Sequence, residues 1–262
     1  MNKIDEKFKK LKGKGEKALI AYFTAGLPST KGTVEIIRKA EKSGVDIVEI
    51  GIPFSDPIAD GPIIQYASHI SLEKGTNTDT VFEICRELGK SINIPYLLMT
   101  YYNPVYRYGI EKFSKRCAQT GVSGIIIPDL PFEESKDVRE ALKKQNVYLI
   151  NLLTPFTPEK RAKKIIKASS GFIYFITSAG VTGPREKFSK EMWDKLKIVQ
   201  EISSIPVASG FGISDAEQVK RLREYVDGVI IGSFFVKKII DGKIEELWKE
   251  IREIKKALVG EN

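Results

Sequence analysis

Eight short, β-rich apolar segments recur along the chain: ALIAYFT from Ala18, VDIVEIG from Val45, IPYLLMTY from Ile94, VSGIIIP from Val122, VYLINLL from Val147, FIYFITS from Phe172, IPVASG from Ile205 and VDGVIIG from Val226. Between them lie amphipathic helical patterns, such as Ile244, Leu247, Trp248, Ile251 and Ile254 in the last, spaced as one buried stripe. Strands that are apolar on both faces belong to parallel sheets covered by helices, and eight strand-helix units are the number that closes a barrel. A doubly wound open sheet is the alternative, but no G-x-G-x-x-G follows the first strand. A length of 262 residues suits one such barrel, so a single domain over 1–262 is expected, with an extra helix ahead of the first strand.

Helix ends are marked as well. Thr157 followed by Pro158 reads as an N-cap with proline at the first helical position, and Ser214 with Glu217 reads as a capping box. Gly44 and Gly121 stand where helices should stop. Most repeats restart within about 21 to 33 residues, but the second, from Val45 to Ile94, takes nearly twice that, so something is inserted there. Its segment GIPFSDPIADGP, with three prolines and two aspartates, predicts a stiff polar loop at the C-terminal rim, where barrel active sites are built. A second long loop, SAGVTGPREKFS, within Thr177 to Ser189, has the glycines of a mobile lid. The expected fold is an α/β, (β/α)8 TIM barrel with long loops after strands 2 and 6.

Composition removes several classes of function. Apolar residues make up 42% and charged residues 29%, which allows a globular core and argues against disorder. No apolar run is long enough to span a bilayer, and MNKIDEKFKKLKGKGEK is too charged for a signal-peptide core, so a cytoplasmic address is expected. Cys85 and Cys117 fall in helical patterns and read as small core residues rather than a disulfide framework. His69 is the single histidine, which excludes multi-histidine metal sites and histidine-based triads. Carboxylates are left to do the chemistry. The net charge of +8 is scattered among acids on helical faces and reads as a solvated surface, with the lysine cluster of residues 7 to 17 as the place to test for a nucleic-acid footprint.

Glu49 lies among the aliphatics of VDIVEIG. In a parallel barrel strand neither face meets bulk water, so an acid opposite Val48 and Ile50 points to the barrel axis or into packing. The ordinary reading is a buried ion pair, yet the strand ends offer no lysine or arginine to form one. Desolvation should raise its pKa and let it give and take protons near neutrality. Asp60, followed by Gly61, reads first as a turn dipeptide, and Asp56 before Pro57 is open in the same way. Asp129, in PDLPFEES, either supports the neighbouring loop or adds a third acid at the rim. A phosphate signal comes from GFGIS (Gly210, Phe211, Gly212) after strand seven and from Gly232-Ser233 after strand eight, ahead of a helical run. Gly183 on the lid could close over the same group. Tyr22, Met99, Tyr101, Tyr174 and Phe211 would line an apolar pocket if they point inward, and together they suit a flat apolar moiety beside a phosphate.

VEIGIPFSDPIADGPIIQYAS, PDLPFEES, TSAGVTG, GFGIS and IGSFFVK resemble the motifs of the tryptophan synthase α-subunit family, in its order and at its spacing, over essentially the whole chain. The resemblance implies cleavage of indole-3-glycerol phosphate to indole and glyceraldehyde 3-phosphate. Glu49 would protonate indole C3, and Asp60 would face the indole N–H. By position, Gly183, Gly212, Gly232 and Ser233 match phosphate contacts with Phe211 beside them, Tyr22, Met99 and Tyr174 match the indole pocket, and Thr182 matches a lid threonine. Tyr101 and Asp129 complete the expected substrate-binding set. Some members have arginine where this chain has Ser178. The resemblance further implies a β subunit that carries pyridoxal phosphate, in an α2β2 complex touching Asp56, Pro57, Asn103 and Pro104. No cofactor or metal is expected in this chain, and neither nucleic acid nor membrane as a partner.

The residues support this chemistry independently. Carbon-carbon lyases need an electron sink, commonly a Schiff-base lysine or a metal ion. With no lysine at a strand end and one histidine, the sink must be the substrate's own indole, protonated at C3. The missing lysine also argues against indole-glycerol-phosphate synthase, a related barrel. A free-standing lyase that releases indole, or a non-catalytic activating barrel, are the alternatives.

Overall fold

In the computed structural model, which describes residues 1–176, 190–210 and 216–260, the fifth apolar segment decides how the sheet closes. Among these residues there are nine parallel strands: β1 (Ala18–Thr24), β2 (Ile47–Gly51), β3 (Tyr96–Met99), β4 (Gly124–Ile126), β5 (Tyr148–Leu149), β6 (Asn151–Leu153), β7 (Ile173–Ile176), β8 (Val207–Gly210) and β9 (Gly228–Ile231). They run in the order β5-β4-β3-β2-β1-β9-β8-β7-β6. The end strands of that order are the two halves of VYLINLL. Tyr148 and Leu149 pair with β4, and Asn151 to Leu153 pair with β7. Between them Ile150 donates its N–H to the Ile125 carbonyl at 2.8 Å. The fifth segment thus changes neighbours part-way along, and the eight segments of the sequence are the staves of a nearly closed (β/α)8 barrel.

The helices are α1 (Lys3–Gly13), α2 (Thr30–Ser43), α3 (Pro62–Glu73), α4 (Thr78–Gly89), α5 (Tyr102–Tyr108), α6 (Ile110–Gln119), α7 (Lys136–Lys144), α8 (Glu159–Lys167), α9 (Lys190–Ile202), α10 (Ala216–Leu222), α11 (Ser233–Ile240) and α12 (Ile244–Val259). The long second repeat is explained by α3, an additional helix between the rim loop and α4, so the insertion is more than a loop. Gly44 ends α2 at φ +113°, and Gly121 follows α6 at φ +79°, conformations that a side chain would strain. The cap at Thr157 is corrected by one residue: Pro158 takes the cap position with an extended ψ of 142°, and α8 begins at Glu159. The Thr157 hydroxyl instead accepts from the Thr154 N–H at 3.1 Å and closes the preceding turn. Ser214 of the expected capping box lies outside the described residues, as does the long loop of residues 177–189. Cys85 and Cys117 are buried and free.

Alternation along the strands sorts the core in two. Ile20, Ile47, Leu97, Ile126, Ile150, Phe172 and Ile230 pack together along the axis, while Leu19, Val48, Ile50, Leu98, Ile125 and Val229 belong to the larger cluster with the helices. The expected N-terminal helix has a definite task. Ile4, Phe8 and Leu11 of α1 join the axial cluster and close the floor beneath the strand starts, each worth roughly 1.5–3 kcal/mol of burial. Asn2 ties α1 down by donating to the Ser123 and Asn146 carbonyls, both at 2.9 Å.

Asp46, at the foot of β2, accepts from the Leu19 N–H at 3.0 Å and from Lys255 of α12 at 2.7 Å, with Lys7 of α1 at 3.6 Å. Lys14 and Lys17 of the N-terminal lysine cluster also face acids, Glu16 at 3.7 Å and Asp227 at 3.9 Å. These polar ties fasten the floor, and the opposite rim is formed by the loops that carry Asp60, Asp129 and Gly232.

Candidate active site

The pleat of β2 sends Ile47 into the axial cluster and, two residues on, Glu49 to the same side. In register Glu49 stands between Tyr22 of β1 and Leu97 of β3. It is 2% exposed, and among the described residues its Oε2 has no hydrogen-bond partner. Among the described residues the ion-pair reading finds no partner: burial first, and then the negative charge of Asp60, push its pKa up to about 8.

Asp60 arrives from the rim loop of residues 52–61. Its N–H donates to the Pro57 carbonyl at 3.0 Å, and its own carbonyl accepts from the Gln65 side chain of α3 at 2.8 Å. The turn suggested by Asp60-Gly61 is real, but the carboxylate is 6% exposed and serves another purpose. Its Oδ2 accepts from the Tyr101 hydroxyl at 3.0 Å, while that hydroxyl's oxygen accepts from the Ala59 N–H at 3.1 Å. Tyr101 therefore fixes both the acid and its loop, and Phe54 packs on the Tyr101 ring at 5.3 Å between centroids. Burial pushes Asp60 up to about 6, with the Tyr101 hydrogen bond pulling the other way. The two neighbouring carboxyls are thus pushed apart, with Glu49 keeping its proton to higher pH than Asp60.

Tyr22 and Tyr174 enclose the pair. Burial pushes both phenols well above their ordinary range, with Asp60 and Glu49 adding to the shift. Met99 is half-buried at the end of β3, opposite Gly51 in register. Gly51 itself was missed in the sequence. A side chain there would overlap the Tyr22 hydroxyl, so glycine at this position makes the room that Tyr22 occupies. The signal was available, since Gly51 follows Glu49 by two and shares its face. Gln65 was also missed, because a polar residue on a helix carries no sign of what its amide will hold.

Gly232 follows β9 and caps α11, of which Ser233 is the first residue. The first-turn N–H groups of that helix are unpaired within the helix and oriented for an anion. Phe211 and Gly212, together with Ser178, Thr182 and Gly183, lie outside the described residues. Asp129 takes the first of its two expected roles: its Oδ1 accepts from the Tyr102 N–H at 2.9 Å and supports the start of α5. Of the four residues expected at a partner interface, Asp56 and Asn103 are exposed and Pro57 and Pro104 half-buried, the first pair of positions (Asp56, Pro57) on the loop after β2 and the second (Asn103, Pro104) in the first turn of α5. Sequence reasoning missed three exposed large apolar side chains: Ile58 at 74% on the loop after β2, Tyr106 at 64% on α5 and Phe156 at 76% on the loop after β6. An isolated apolar residue reveals its exposure only once the fold is known.

Comparison with known proteins bears on this site. The sequence family described as tryptophan synthase alpha chain matches residues 8–260. The tryptophan synthase alpha chain of Methanosarcina barkeri is 46% identical over 262 residues, covering 97% of this chain and 98% of the relative. The tryptophan synthase subunit alpha of Legionella pneumophila is similar in structure, with a TM-score of 0.92 at 31% identity and 99% of each chain covered. A chain of tryptophan synthase from M. tuberculosis, in an aminoacrylate-bound form, gives a TM-score of 0.89 at 28% identity, covering 98% of this chain and all of that one.

Proposed function

The chain belongs to the tryptophan synthase alpha chain family, and from that premise we propose that Glu49 and Asp60 carry its reaction, one as a proton carrier and the other as a fixed negative charge. The chain is a carbon-carbon lyase of tryptophan biosynthesis: it cleaves indole-3-glycerol phosphate to indole and glyceraldehyde 3-phosphate, and the indole passes to a β subunit. Pyridoxal phosphate belongs to that subunit. The single observation that supports the residue assignment best is a buried carboxyl on β2 with an oxygen unpartnered among the described residues, set beside a second carboxyl that is clamped in place.

Protonated Glu49 gives its proton to indole C3, and the ring nitrogen takes the resulting positive charge opposite ionised Asp60. The bond from C3 to the glycerol chain then breaks, its electron pair returns to the ring, and indole is restored. The Glu49 carboxylate takes the proton from the glycerol hydroxyl as the aldehyde forms. One proton enters and one leaves, so Glu49 ends each cycle as it began. Asp60 needs to remain charged through this sequence, which its lower pKa and the Tyr101 hydrogen bond favour.

Gly232 and Ser233 hold the phosphate at the α11 N-terminus, together with Gly183 and Gly212. Tyr22, Met99, Tyr101 and Tyr174, with Phe211 and Thr182, surround the rest of the substrate, and Asp129 acts from behind the loop of Tyr101 and Tyr102. The β subunit docks on the rim at Asp56, Pro57, Asn103 and Pro104, where Ile58, Tyr106 and Phe156 supply apolar area. The protein is one barrel domain over residues 1–262 with a cytoplasmic address; among the described residues no helix is long and apolar enough to cross a membrane.

Indole release by the wild type and by Glu49→Gln, each with and without a β subunit, tests this reading. Glutamine keeps the volume and removes the proton, so cleavage should nearly vanish while substrate affinity stays within a few fold. A Glu49→Gln protein that still cleaves at an appreciable fraction of the wild-type rate would refute the assignment. High unaided turnover with no complex would favour a free-standing lyase.

A further inference from the structure

Tyr22 spans the interior from the phosphate end of the site to the carboxyl end. Its Cβ lies against Gly232, where an added methyl would meet it at 3.3 Å, and its hydroxyl lies over Gly51, close to the carboxyls. The side chain is 5% exposed and stands beside Glu49 in the strand register. Thr24 donates to the phenol oxygen at 3.4 Å, but among the described residues the phenol's own proton has no acceptor within hydrogen-bond reach. Burial and the neighbouring carboxyls keep that proton on the oxygen at any working pH. A phenylalanine would provide the same ring. Among the described residues the hydroxyl is thus a buried donor without a use, and buried donors are ordinarily satisfied.

The substrate has a matching layout, with phosphate at one end, indole at the other and hydroxylated carbons between. We propose that the Tyr22 hydroxyl donates a hydrogen bond to the glycerol hydroxyl on the carbon attached to the indole ring, and so holds that oxygen where the Glu49 carboxylate removes its proton. This rests on the assignment of Glu49 and Gly232 to the two ends of the site. Tyr22 then contributes specificity as well as packing: it distinguishes a ligand with the hydroxyl from one without.

The test compares Tyr22→Phe with its parent, both carrying Glu49→Gln so that substrate binds without turnover, in complex with the β subunit. Two ligands are titrated: indole-3-glycerol phosphate, and 3-indolylpropyl phosphate, which keeps the ring and phosphate and lacks both hydroxyls. Tyr22→Phe should weaken the first by about five- to tenfold, as one buried hydrogen bond would, and leave the second within twofold. Unchanged affinity for both, or equal weakening of both, would overturn the proposal, the latter meaning that the phenol acts through packing alone. If the parent with Tyr22 intact bound neither ligand, the site assignment itself would fall and the proposal with it.

Discussion

Replacing Glu49 by glutamine should change how stability depends on pH, and the size of the change follows from burial. In the unfolded chain this carboxyl titrates near its ordinary value of 4.5, whereas in the folded protein it is pushed up to about 8. Between those limits the folded state keeps a proton that the unfolded state has released. Stability linked to Glu49 is therefore fully present below about pH 4.5 and is lost as the pH rises toward 8. The slope can reach about 1.4 kcal/mol per pH unit, with a ceiling of about 5 kcal/mol over the whole range. Asp60 acts in the same sense only up to about 6, so above pH 6.5 the slope belongs to Glu49. Urea unfolding of wild type and Glu49→Gln at intervals from pH 6.5 to 8.5 reads it directly. The wild type should lose roughly 1–2 kcal/mol relative to the variant across that interval. Parallel stability curves would mean that Glu49 is already ionised at neutral pH, and the proton-donor role would have no basis.

Three further expectations come from the same geometry. The kcat/KM profile should rise as Asp60 ionises near pH 6 and fall as Glu49 ionises near 8; Tyr101→Phe should move the acid limb upward, because the lost hydrogen bond was lowering the Asp60 pKa, and should cost about 1.5–3 kcal/mol in kcat/KM. An acid limb that stays in place would separate Tyr101 from Asp60. Gly51→Ala should displace the Tyr22 ring and cost about 1–3 kcal/mol of stability together with most of the activity, readable by thermal unfolding and indole release; full activity would show that the ring's position is unimportant. Ile58→Ser and Phe156→Ser should each weaken the complex with the β subunit by about 1–2 kcal/mol in a titration, and unchanged affinity would move the interface elsewhere.

The barrel was legible because its signal is periodic and redundant. Eight β-rich segments at near-regular spacing leave little freedom, and even the split at Ile150 only divides a segment already recognised. Glu49 was legible for a related reason: a charge within a strand that is buried on both faces has to be paired or used. Asp60 was not legible from its neighbours, since Asp-Gly in a loop looks the same whether its carboxylate meets water or Tyr101, 41 residues away in sequence. The exposure of Ile58 and Phe156 was equally hidden, because they are ordinary apolar residues until the fold leaves them uncovered. The cap at Thr157 failed by one residue, since Thr-Pro suits both a helix start and the turn before it.

The most direct test of the split pair is a carboxyl-carbon NMR titration of the labelled protein, assigned with Glu49→Gln and Asp60→Asn. One buried resonance should titrate with a midpoint near 8 and vanish in the first variant, and another near 6 should vanish in the second. If both carboxyls instead titrated in the ordinary range below about 5, the division of labour between a neutral donor and a charged neighbour would be contradicted.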